Sequence, residues 1–234
     1  ISPTCKSNQT IMSMLKINDE DIYEDIDDIS IPDQIKGEIE EEARLYDEYH
    51  RKMEKYKMFV KQKESHHMID DELLLEFFNP NTDQFEKPEH WLNGRRPHMC
   101  CVYDDILGSQ LFSKGARKIT NNAILHRHLG GVKEKGGGAL GCSKFYLSQS
   151  FKTQTGGIPK AVRNNCTSLV IFKTKSDKEL QEIQEEVGGE VSKDDFYKIY
   201  NYATADPHSF LFVDLHPKKN HPSKYRKCFN EFIC

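Results

Sequence analysis

The 234-residue sequence predicts an α/β fold, a mostly parallel sheet carrying a helical insertion. Three observations predict it. Short apolar runs alternate with helical patterns from residue 97 onward, as in a parallel sheet covered on both faces. The run His98-Met99-Cys100-Cys101-Val102-Tyr103, bounded by Pro97 and by Asp104-Asp105, has the make-up of a strand buried on both faces. Between residues 35 and 60, Ile35, Ile39, Ala43, Tyr46, Tyr49, Met53, Tyr56 and Val60 recur every three or four positions among charged residues, the mark of a long amphipathic helix.

The elements follow in order. Residues 1–4 end a strand, because Pro3 has no N–H to donate to a ladder. Ser7 or Asn8 caps a short helix that runs through Leu15. Residues 18–30 are acidic and turn-rich, and Pro32 stands near the start of the long helix, where its missing N–H costs little. Asn79-Pro80-Asn81 and residues 94–97 are turns. A helix spans 116–129 and ends in Gly130-Gly131, and Gly136-Gly137-Gly138 forms a flexible surface loop. Strands are expected at 145–148, 168–172 and 210–213. Helices are expected at 158–164, 178–187 and 194–203, with a closing helix at 223–232.

Composition narrows the classes. Hydrophobic residues make up 37% and charged residues 30%, so a core is affordable only if the charge sits in solvated stretches. From Asp19 to Glu48 there are fourteen acids against Lys36 and Arg44. From His216 to Lys227 there are Lys218, Lys219, Lys224, Arg226 and Lys227 and no acid, a stretch suited either to solvent or to phosphate. Seven cysteines with no C-x-x-C spacing, among them Cys100, Cys101 and Cys166 in apolar runs, read as reduced core thiols of an intracellular protein. No apolar run approaches the roughly 18 residues of a membrane span. The chain opens on Ile1-Ser2-Pro3-Thr4 rather than Met, and is read as a fragment.

Three places carry chemistry. Asp104-Asp105 ends a strand where open α/β sheets bind ligands; one acid there holds Mg²⁺ through water and its neighbour orients an attacking water. Ser148-Gln149-Ser150 ends the next strand, which in a parallel sheet puts Gln149 beside the acid pair, in reach of the water or a terminal phosphate. Arg163, in Ile158-Pro159-Lys160-Ala161-Val162-Arg163-Asn164-Asn165, precedes a further strand and suits a transition-state charge clamp acting on a neighbouring subunit. Arg127, between His126 and His128, is a second candidate of that kind. Each also has a plainer reading: a strand-end turn, a hydrophilic strand end, a helix-terminal arginine. Gly136, Gly141 and Ser143 fit a G-x-x-x-x-G-K-S frame, but Cys142 replaces the lysine. That loop also follows a helix and starts a strand, the reverse of a phosphate loop. A metal site through Cys100, Cys101, His126, His128 and Cys142 is not expected, because adjacent strand cysteines face opposite ways.

Taken in order, these motifs resemble the poxvirus-type genome-packaging ATPases of large DNA viruses, in the FtsK/HerA branch of P-loop NTPases. The resemblance spans residues 1–233. It rests on Ser2-Pro3-Thr4, Asp104-Asp105, Arg127-His128, Leu147-Ser148-Gln149, Ile158-Pro159 with Arg163-Asn164, and Phe210-Leu211. It implies a RecA/ASCE-like three-layer sandwich whose N-terminal P-loop strand is missing. Residues 1–17 would be the strand end and helix after the P-loop unit, 18–96 an acidic and helical insertion, and 97–234 the ATPase core with Walker B, sensor and arginine finger. The implied activity is ATP- and Mg²⁺-dependent packaging of double-stranded DNA by a homo-oligomeric ring. That ring would meet a capsid, portal or membrane-associated packaging vertex, in a virion or a cytoplasmic viral factory. By the family pattern Asp104 holds Mg²⁺, Asp105 polarises water, Gln149 is the sensor that also meets nucleotide, and Arg163 is the trans finger, with Arg127 and His128 behind it. Many related motors carry Glu where Asp105 stands. No G-x-x-x-x-G-K-[ST] occurs, so this chain alone is expected neither to bind ATP tightly nor to fold as stably as a complete motor. Two other functions fit the same residues: an FtsK/HerA-type DNA translocase of a non-packaging system, and a catalytically inactive relative that joins a ring through the helix at 35–60.

Overall fold

A computed structural model describes residues 1–7, 9–65, 68–152, 158–189 and 191–234. In chain order, α1 covers Gln9–Leu15, α2 Ile31–Glu64, α3 Asp71–Phe77, β1 Phe78–Asn79, β2 Gln84–Phe85, β3 Met99–Asp104 and α4 Ala116–Ile124. Then come β4 Cys142–Leu147, α5 Lys160–Arg163, β5 Ser168–Ile171, α6 Asp177–Val187, α7 Lys193–Ala203, β6 Leu211–Asp214, β7 Tyr225–Lys227 and β8 Glu231–Phe232. Asn8, a candidate cap of α1, lies outside the described residues. The fold is mixed α/β. The chain divides into two compact units: Ile1 with 30–103 and 125–146, and 2–29 with 104–124 and 147–234.

The first unit is organised by α2. Pro32 sits in its first turn, where no N–H is missed, and Lys61 and Lys63 sit in its last, at the negative end of the helix dipole. Its 34 residues span about 51 Å at 1.5 Å per residue. The buried stripe is Ile31, Ile35, Ile39, Ala43, Tyr46, His50 and Phe59. The opposite face carries exposed pairs of Arg44 with Glu41 and Glu48, and of Lys52 with Glu48, which add solubility more than stability. Helix α3, not foreseen as a separate element, is capped by the Asp70 side chain, which accepts from Glu72 N. Its Leu73 and Phe77 cluster with Phe59.

The glycine run at 136–138 is not a detached loop. It is the tip of a hairpin that closes with Val132 N donating to Gly138 O at 2.9 Å and Leu140 N donating to Gly130 O at 2.9 Å. The Asp47 carboxylate of α2 accepts from Lys133 N at 2.9 Å and Glu134 N at 3.0 Å. Val132 packs with Ala43 and Tyr46.

Strands β3 and β4 form a two-stranded sheet, the one parallel pair among the described strands. Burial alternates along β3: Cys101 and Tyr103 are buried, Cys100 and Val102 exposed. The expected strand buried on both faces is therefore corrected to one covered on a single face. Cys100 is exposed and Cys166 only half-buried, so of the three cysteines expected inside only Cys101 is a core thiol. The Tyr103 and Tyr146 rings stack 4.8 Å apart on the covered face. No strand is assigned at 1–4, yet the Ile1 amino group donates to Val102 O at 2.7 Å, so the first residue runs beside β3.

In the second unit β5, β6, β7 and β8 form a four-stranded sheet in sequence order, every pair antiparallel. The expected mostly parallel sheet is thus corrected. The β6–β7 and β7–β8 links are shorter than the dozen or more residues of a parallel crossover. The expected closing helix at 223–232 is likewise β7, a turn with Cys228 at φ 53, and β8. Helices α6 and α7 are capped by Ser176 and Ser192, whose side chains accept from Glu179 N and Asp195 N. They contribute Leu180, Ile183, Val187, Phe196 and Tyr200 to a core with Ile171, Leu211, Val213 and Tyr225. Fully buried side chains such as Phe196 and Leu211 stabilise the unit by about 1.5–3 kcal/mol each. Helix α4 ends at Ile124, short of the expected 129, and α5 holds only four residues.

Candidate functional site

At the carboxyl end of β3 the second unit gathers four polar side chains. Ser2 is buried, its N–H donates to Tyr23 O at 3.0 Å, and its hydroxyl donates to Asp104 Oδ2 at 2.9 Å. Asp105 takes φ 51, a left-handed geometry that Asp tolerates better than most side chains, and this ends the strand. The Asp105 side chain is exposed. Gln149 Nε2, two residues beyond β4, donates to Asp105 Oδ1 at 3.2 Å. Ser148 and Ser150 brace that loop: Ser148 Oγ donates to Ser150 O at 2.5 Å, and Ser150 N donates back to Ser148 Oγ at 3.2 Å. Below, Ile106, Leu111, Phe112 and Ile119 are buried and anchor the segment that follows the acids.

The donor set is two carboxylates and one hydroxyl, all hard oxygens. That suits Mg²⁺, which uses one or two carboxylates and completes its shell with water and phosphate. Among the described residues no group of three His, Cys, Asp or Glu stands ready to hold a metal without such outside ligands.

Arg163 stands elsewhere in the same unit. Its Nε donates to Glu186 Oε1 at 2.8 Å, one terminal nitrogen donates to Ile158 O at 2.6 Å, and its guanidinium lies 5.3 Å from the Phe151 ring centre. Its side chain is only 12% exposed. Glu186 also pairs with Lys152 at 3.2 Å. Burial pushes the Glu186 carboxyl up, but the hydrogen bonds and charges of Arg163 and Lys152 outweigh it and hold the group below its ordinary value. Arg163, Glu186 and Phe151 border a cavity of about 230 Å³ with Cys166, Leu169 and His216. Acting on a neighbouring subunit would require Arg163 to leave Glu186.

In the first unit, Arg127 and His128 follow the end of α4 and are exposed. Arg127 Nε donates to His126 Nε2 at 3.3 Å. Of the basic stretch, Lys224 Nζ donates to Val187 O at 3.0 Å and Gly188 O at 3.2 Å at the end of α6. Arg226 pairs with Asp214 and Lys227 with Asp206. Only Lys218 and Lys219 make no such side-chain bond among the described residues, so most of that charge is committed internally.

The sequence reading missed Ser2 and Glu186 as partners, because pairs 102 and 23 residues apart leave no local signal. It also missed Lys144 on β4. Among the described residues the buried Lys144 Nζ has no hydrogen-bond partner, and burial holds the amine below its ordinary value against the pull of Cys142 and Cys101. Burial also pushes the Cys142 thiol up to about 11, which makes it a poor nucleophile at neutral pH.

No helix among the described residues is long and apolar enough to cross a membrane. No family model, no curated protein and no solved structure matches the chain.

Proposed function

We propose that this chain carries the hydrolytic half of a DNA-packaging ATPase of the poxvirus type, in the FtsK/HerA branch of P-loop NTPases. The observation that supports the reading is the meeting of Asp105, which follows Asp104 at the end of β3, with Gln149, two residues beyond the neighbouring parallel strand. The family order of motifs asks for that juxtaposition, and so does the chemistry. Bound Mg²⁺ would supply charge to the phosphate oxygens of ATP. Asp104 would hold it through water, with the Ser2 hydroxyl fixing the carboxylate. Asp105 would accept a proton from the attacking water, and Gln149 would orient both. The position of Ile1 beside β3 suits the strand end that follows the P-loop helix in the family. Among the described strands β4 has β3 as its only partner, and in this superfamily a P-loop strand lies mid-sheet. Ring assembly, double-stranded DNA and a capsid vertex as partners belong to this same proposal.

The sequence contains no G-x-x-x-x-G-K-[ST], and the proposal therefore assigns the phosphate cradle to residues other than these. That observation also favours a second reading, an inactive ring-binding relative. The test is DNA-stimulated ATP hydrolysis by the natural protein that contains this chain. Gln149→Ala should lower turnover about 100-fold while leaving ATP affinity within a factor of three. Unchanged turnover in Gln149→Ala would contradict the packaging reading, and no turnover in the unmutated protein would favour the inactive relative.

A further inference from the structure

In the first unit a groove of about 350 Å³ opens at the amino ends of β3 and β4. At about 30 Å³ per water it holds roughly ten waters. Its polar lining is His98, His126, Arg127 and Ser143, on a floor of Met99 and Leu140, and no carboxylate lines it. Arg127 is fixed rather than loose. Gly141 N donates to Leu129 O at 3.0 Å and Cys142 N donates to His126 O at 2.8 Å, which ties the 126–129 turn to the start of β4. Gly141 allows that approach: at φ +73, a Cβ there would stand 3.3 Å from His126 O and 3.7 Å from Arg127 Cα. The Arg127 side chain makes one hydrogen bond, from Nε to His126. Among the described residues its two terminal nitrogens have no protein partner and the guanidinium has no carboxylate. An exposed cation held in place without a counter-charge, beside two histidines, is built for an anion with several oxygens.

We propose that this groove binds the phosphates of a nucleic-acid backbone, with Arg127 as the bidentate contact and His98 and Ser143 as further donors. A phosphodiester is favoured over a free nucleotide because the lining offers no Phe, Tyr or Trp to stack a base and no enclosure to hold one. The inference gives the DNA named in the motor reading a place to bind and gives Arg127 a role other than a trans finger; it needs no hydrolysis, so DNA binding by a chain without ATPase activity would uphold it while the motor reading failed.

The test uses the 234-residue chain and a fluorescein-labelled 20-nucleotide DNA, single- and double-stranded, followed by polarisation from about 50 to 200 mM salt. Arg127→Gln should weaken binding about fivefold or more on both DNAs and lower the slope of log affinity against log salt by about one. Lys218→Gln/Lys219→Gln should leave the Arg127-dependent part in place. Both sites are exposed, and circular dichroism checks that each variant is folded. The proposal is overturned if the unmutated chain binds neither DNA, or if Arg127→Gln binds as well as the unmutated chain. It is also overturned if ATP or pyrophosphate shifts the His98 and His126 ring resonances while DNA does not.

Discussion

Asp104 and Asp105 are adjacent in sequence but differ in environment. Asp104 is half-buried and tied to Ser2, while Asp105 is exposed in a left-handed turn and tied only to Gln149. A metal-holding acid benefits from a fixed orientation and a water-polarising acid needs an open side, which is why the proposal gives the first role to Asp104 and the second to Asp105. Lys144 is a different case. Its amine is buried without a partner among the described residues, so Lys144→Met should raise stability by about 1–3 kcal/mol, read as a shift in urea midpoint. Its folded value lies below the ordinary lysine value, so the unfolded chain binds the extra proton. Stability should therefore rise with pH between the depressed value and the ordinary 10.5, and that rise should vanish in Lys144→Met. A destabilised Lys144→Met protein would mean that the amine has a partner that matters.

At the scale of elements, local periodicity was legible where packing is one-sided and local. The stripe of α2 could be read from Ile35, Ile39, Ala43 and Tyr46, and all four are buried. Strand direction could not be read, because alternation looks the same in parallel and antiparallel ladders. That is why β5–β8 was expected in a parallel sheet. The 223–232 segment misled because its charged residues fit a helix face, while Tyr225 turned inward and Arg226 paired across the sheet with Phe212. The glycine hairpin gives a sharp test of element packing. Gly130 sits at φ +64, and a Cβ there would stand 2.8 Å from Ile39 O on α2. Gly130→Ala should destabilise by roughly 2 kcal/mol or more, since left-handed strain and a backbone clash add. Thermal unfolding measures it, and an unchanged midpoint would mean that the hairpin does not pack against α2 as described.

For the whole molecule, part of the candidate site was legible before the fold. The acids and Gln149 stand at the ends of two apolar runs, and two runs joined through a helix are commonly neighbours in a parallel pair. The partners that fix the site, Ser2 for Asp104 and Glu186 for Arg163, come from distant sequence and were not legible. Arg163 entered as a free clamp and is held by Glu186, so any role in trans must start by breaking that pair. In the proposed motor, Asp105 activates water at a nucleotide bound at the carboxyl end of β3. Measuring ATP affinity and hydrolysis together in the natural protein that contains this chain, and in its Asp105→Ala variant, decides the point. Hydrolysis should fall about 100-fold or more in the variant, with ATP affinity preserved. Asp105→Ala protein that hydrolyses ATP at the unmutated rate would contradict it.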